Sequence, residues 1–88
     1  MRMPIEDLVE RVAGVLQLES VEIKSNKRNR EVANARGIIS YLAVRVIGWN
    51  GAELAKALPM TRSGVSEAAE RGNLLVRKYP AMMKIIES

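Results

Sequence analysis

Eighty-eight residues, 48% of them hydrophobic, with a formal net charge of +4, suit one folded domain over residues 1–88 and are too apolar for a disordered segment. There is no cysteine, no histidine, no paired carboxylate motif and no glycine-rich phosphate loop, so neither an enzyme nor a bound metal, cofactor or small-molecule substrate is expected. No apolar signal core follows Arg2 and no apolar run approaches the roughly 18 residues of a spanning helix, which leaves no expected membrane contact and points to the cytoplasm.

Ile5, Leu8, Val9, Val12, Val15 and Leu16 recur at three- and four-residue steps after Pro4, which predicts an amphipathic helix over 5–18 with Glu6 and Asp7 favouring its N-terminus. Residues 20–24 alternate strictly, but no partner strand appears elsewhere, so they are read as a short helical turn. Residues 25–29 form a polar loop. Lys24, Lys27, Arg28, Arg30 and Arg36 oppose only Glu31 there, while the other nine bases and nine acids cancel. A charge run is often no more than a solvated face. Concentrated in one stretch, though, it is what a polyanion contact requires, and Asn26 and Asn29 add neutral hydrogen bonding.

Val32, Ala35, Ile39, Leu42, Ala43 and Val46, widened by Ile38 and Val44, predict a central helix over 31–47 that Gly48 ends. Trp49 falls at the corner that follows, where a packing plug is favoured over a base-stacking platform. Asn50 with Glu53 three residues on is a variant of the capping box. The short helix behind it turns Leu54, Ala55 and Leu58 inward and stops at Pro59, which biases Leu58 away from helical geometry. Thr61 caps a helix over 62–71, and Gly72 and Asn73 read as a break or a bend. The stretch 74–87 is helical, with Pro80 starting its last segment and Tyr79 packing against it. Met82, Met83, Ile85 and Ile86 form an apolar end that either closes the core or offers a partner or dimer surface.

The run Glu53 to Ala69 fits a helix-turn-helix. Ala55 is small where the second helix approaches, Leu54, Leu58 and Met60 plug the corner, and Val65 and Ala68 point back at the first helix. Thr61, Arg62, Ser63, Ser66 and Glu67 then face outward at the start of the second helix, where a recognition helix meets base edges. Pro59 stands where such a turn commonly has glycine, so the turn takes another route.

With the loop Lys27-Arg28-Asn29-Arg30, then Val32-Ala33, Arg36 and a long helix before that motif, the chain resembles the C-terminal DNA-binding domain of the bacterial replication initiator DnaA. Tyr41-Leu42-Ala43-Val44-Arg45, Gly51-Ala52-Glu53-Leu54-Ala55 and Arg62-Ser63-Gly64-Val65-Ser66 also resemble the DnaA-like tail of some REP-associated (IS200-like) transposases. The resemblance covers about residues 8–71 and implies an all-α bundle of five to six helices, of the Trp-repressor group, that binds double-stranded DNA on the nucleoid. It implies a minor-groove role for Arg28, which stands at the family's basic-loop arginine. Thr61-Arg62-Ser63 stand where the family reads bases with Asp-His-Thr; only Ser63 keeps a matching hydroxyl, which implies a different target sequence. The expected interface is therefore Arg62, Ser63 and Ser66 on bases, Thr61 capping the helix near phosphate, and Lys24, Lys27, Arg28, Arg30 and Arg36 on phosphates or the minor groove. The resemblance also implies that the chain is a binding module of a longer protein. The rival expectation is a helical protein-interaction module using the Met- and Ile-rich C-terminus.

Overall fold

The computed structural model, which describes residues 2–86, starts its first helix directly after Pro4. That proline is extended (ψ 147°) and its carbonyl accepts from the Leu8 N–H at 3.1 Å, so the ring precedes the helix, where its missing N–H costs nothing. Helix α1 (Ile5–Leu16) buries Leu8, Val9, Val12 and Ala13. It stops two residues earlier than its apolar spacing predicts. Gln17 takes a left-handed conformation (φ 59°) and the Leu18 N–H closes the end on the Ala13 carbonyl at 2.8 Å. Val15, an expected core residue, is exposed beside this early end.

Residues 20–24 are helical, as expected: α2 (Ser20–Lys24) buries Ile23. Asn29 caps α3 (Arg30–Ser40), its Oδ1 accepting from the Val32 N–H at 2.8 Å. The regular helix expected through 47 is not uniform. Residues Tyr41–Ile47 continue α3 as a π-helical segment, closed by the Gly48 and Trp49 N–H groups on the Ala43 carbonyl at 2.9 and 2.8 Å, with Gly48 at φ 107°. The wider turn shifts the side-chain register. Val46, expected on the inward stripe, is left 39% exposed as a result.

Helix α4 (Gly51–Ala57) is capped by Asn50, which accepts from the Glu53 N–H at 2.8 Å, and gives way to an extended Leu58 (ψ 155°) before Pro59. Helix α5 (Arg62–Lys78) is capped by Thr61 and runs unbroken through Gly72 and Asn73. The expected break is absent because Gly72 serves a crossing. A Cβ there would collide with the Gly37 carbonyl oxygen and lie 2.6 Å from its carbon and 2.8 Å from Tyr41 Cβ. Glycine lets α5 lie against α3, backbone on backbone, and tertiary packing outweighs the low helix propensity of that residue.

Helix α6 (Ala81–Ile85) follows Pro80. Met82 and Ile85 are buried in the same cluster as Leu8, Val12, Ile38, Ile39, Leu42, Leu54 and Val65. The apolar C-terminus thus closes the core, and the surface that the protein-interaction reading needs is occupied from within. Tyr79, expected to pack, is 45% exposed. Trp49 does plug its corner: its Nε1 donates to the Met3 carbonyl at 2.9 Å, and the Arg2 guanidinium sits 4.6 Å from the ring centre. The described residues thus form an all-α bundle of six helices without strands, and none of those helices is long and apolar enough to cross a membrane.

Candidate nucleic-acid interface

Helices α4 and α5 meet through the residues that the helix-turn-helix spacing selects. Leu54, Leu58, Val65 and Ala68 are buried, and Ala55 and Met60 are half-buried. The turn between them rests on α3, where the buried Ser40 hydroxyl donates to Met60 Sδ at 4.0 Å. At the other end a Cβ added to Gly51 would lie 3.8 Å from both Arg62 Cγ and Val65 Cγ1, so the start of α4 fits closely under the first turn of α5.

That packing leaves Thr61, Arg62, Ser63, Ser66 and Glu67 exposed, as expected. Thr61 Oγ1 accepts from the Gly64 N–H at 3.0 Å and lies 3.5 Å from Ser63 Oγ, which fixes the helix start and brings two hydroxyls together at its tip. Arg62 lies on the α4 flank of this face. Four residues beyond Ser63 on the same strip come Glu67 and then Arg71.

The basic loop lies against the opposite flank of α5. Arg28, Asn29, Arg30, Ala33 and Arg36 line one wall of a cleft of about 580 Å³, with Gly64, Glu67, Ala68 and Arg71 on the other wall and Pro59 and Met60 at its end. Arg28 and Arg30 are exposed and have no ion pair among the described residues. The remaining loop cations are placed differently. Lys24 pairs with Glu6 of α1, and Lys27 lies 3.7 Å from Glu22. Arg36 is half-buried; its Nε donates to the Ile23 carbonyl at 3.0 Å and another guanidinium nitrogen donates to the Ser25 carbonyl. Burial, and after it the charge of Arg28, lowers its pKa from the ordinary arginine value. Arg36 thus ties the end of α2 and the start of the loop to α3, while its charge still faces the cleft.

Arg71 lines the cleft but lies outside the interface that the sequence predicts. It lies beyond the first two turns of α5, and only the position of the loop reveals that its side of the helix is part of the cleft. Its stem lies at the helix crossing, 3.7 Å from where a Gly37 Cβ would stand. The spacing Gly64, Ala68, Arg71 is the one signal that could have marked it, since these residues share a helix face.

A recognition helix with a hydroxyl-rich exposed tip, braced by a second helix and walled by arginines, defines a helix-turn-helix DNA-binding domain. Residues 5–71 match the family described as bacterial dnaA protein helix-turn-helix, and the chain belongs to that family. The chromosomal replication initiator protein DnaA of Aliarcobacter butzleri (strain RM4018) is 34% identical over 85 residues. Those residues make up 96% of this chain and 19% of that protein, so the chain spans about a fifth of the length of the curated relative. No solved structure matches the chain at a significant level.

Proposed function

We propose that this chain recognises double-stranded DNA in a sequence-specific way, with α5 in the major groove and the basic loop on the flanking backbone and minor groove. Arg62, Ser63 and Ser66 read base edges. Thr61 holds the helix tip and presents it near a phosphate. Arg28 and Arg30 neutralise phosphates or enter the minor groove, with Lys27 and Arg71 adding charge on either side. Arg36 acts as the brace that sets the loop's position. Lys24 reaches a phosphate only by leaving Glu6.

The observation that carries this reading is the shared cleft: Arg28 and Arg30 stand across it from Gly64, Glu67 and Arg71 of the recognition helix. A loop on another face of the molecule would contribute no more than non-specific attraction. Because the 34% identical relative is a replication initiator, we place the chain at the duplex-reading end of an initiator-type protein, acting on the nucleoid, rather than in a transposase.

Binding to duplex DNA, followed by fluorescence anisotropy over a salt series, tests the reading. Neutralising about five phosphates gives a slope of log K against log salt near −4.5. A slope shallower than about −2 would remove the basic loop from the interface. In the same assay Arg62→Ala costs about 1–3 kcal/mol on the selected site and relaxes preference at one base pair. Unchanged affinity for every duplex would remove α5 from the major groove.

A further inference from the structure

Two carboxylates stand on the exposed side of α5, and they have different surroundings. Glu70 is paired with Arg45 at 2.8 Å. Glu67 is exposed and lines the cleft with Arg28, Arg30, Arg36 and Arg71, yet makes no ion pair among the described residues. It lies four residues after Ser63, on the strip of helix that follows the hydroxyl tip into the groove.

An unpaired carboxylate there opposes binding to a polyanion at every phosphate it approaches. It becomes favourable only against a hydrogen-bond donor, and the donors that a duplex offers in its major groove are the exocyclic amino groups of cytosine and adenine. Adenine places its N7 acceptor beside that amino group, which repels a carboxylate. Cytosine has no acceptor of its own on that edge, and a carboxylate suits its N4 amino group. Resting on the duplex-binding reading above, we propose that Glu67 is a specificity-determining residue that accepts a hydrogen bond from cytosine N4, and so selects one C·G pair beside the bases met by Ser63. The neighbouring arginines hold the backbone, and Glu67 penalises every duplex that offers no amino group at that position. Discrimination then comes from a repulsive element as well as an attractive one.

The test uses a random-sequence duplex pool as the probe and the 88-residue chain with Glu67→Ala and Glu67→Gln, each selecting bound duplexes that are then sequenced. The unsubstituted chain enriches cytosine at one position. Glu67→Ala lowers that preference roughly tenfold at that position alone and does not weaken binding to unselected duplex. Glu67→Gln moves the preference there from cytosine towards adenine, since an amide both donates to N7 and accepts from N6. The proposal is overturned if both variants keep the cytosine preference, or if Glu67→Ala weakens binding uniformly across all sequences, which would make Glu67 a support for the arginines. A starting chain that enriches no sequence at all would instead overturn the duplex reading itself, so the two failures are distinct.

Discussion

Arg28 and Arg36 bring the same charge to the same cleft with different freedom. Arg28 is exposed and unpaired among the described residues, whereas Arg36 is half-buried with two guanidinium nitrogens on the Ile23 and Ser25 carbonyls. Replacing each with alanine should therefore separate binding from folding. Arg28→Ala removes one phosphate contact, makes the salt slope shallower by about 1 and leaves stability within about 0.5 kcal/mol. Arg36→Ala abandons two carbonyls that a cation had satisfied, at a cost of about 2 kcal/mol in stability, and weakens binding through a displaced loop. Arg36→Lys recovers little, because a single ammonium does not reproduce the fork that spans both carbonyls. Thermal unfolding beside a salt titration checks both, and equal melting temperatures for the two alanine variants would contradict the division.

At the scale of elements, the crossing of α3 and α5 decides the shape of the site, since it fixes how the recognition helix stands over the loop. Helix propensity says Gly72→Ala stabilises α5 by about 1 kcal/mol. Packing says the opposite, because the added methyl meets the Gly37 carbonyl, and backbone does not give way as a flexible side chain would. Overpacking of this kind costs about 1–3 kcal/mol or more, so net destabilisation is expected. Gly14→Ala in α1 is the control: nothing lies within 4 Å of its Cβ position, and stability should rise by about 0.5–1 kcal/mol. Urea unfolding of both variants reads the two signs. This crossing also shows where the sequence stops being legible. Apolar spacing and caps place the helices because those signals act over three or four residues, as at Asn50 and Thr61. Gly72 read alone looks like a helix break; its partner Gly37 is 35 positions away and leaves no mark beside it. The π-helical turn is hidden for a related reason. The apolar pattern through 41–47 is unbroken, and the extra residue per turn shows only in the exposure of Val46. In the site, the exposed tip and the basic loop are readable as local clusters, while Arg71 and the bracing role of Arg36 depend on the loop's position against α5.

The described residues extend over 28 × 26 × 22 Å, comparable with the roughly 34 Å repeat of a duplex turn once side chains are added, so on the proposed reading one chain suits one major-groove segment and its flank. Within so small a body α5 serves the cleft and the core at once, whereas the last helix serves the core alone. Helix α6 closes the core: Met82 is fully buried, Ile85 nearly so, and an Arg11 guanidinium nitrogen of α1 donates to the Ile85 carbonyl at 2.8 Å. Neither Met82 nor Ile85 lines the cleft. Truncating Met82 to alanine should then cost about 2–5 kcal/mol. That is a large part of the roughly 5–15 kcal/mol that holds a domain of this size. At about 4–8 °C per kcal/mol, the melting temperature falls by about 10 °C or more. Duplex affinity, measured well below that transition, should stay within about twofold, because the folded fraction still presents α5 and the loop in the same relation. A C-terminal helix serving as an open partner surface would give the reverse pattern, with an unchanged melting temperature for Met82→Ala. Calorimetry and anisotropy on the same preparation distinguish the two, and a melting temperature that holds would remove α6 from the core.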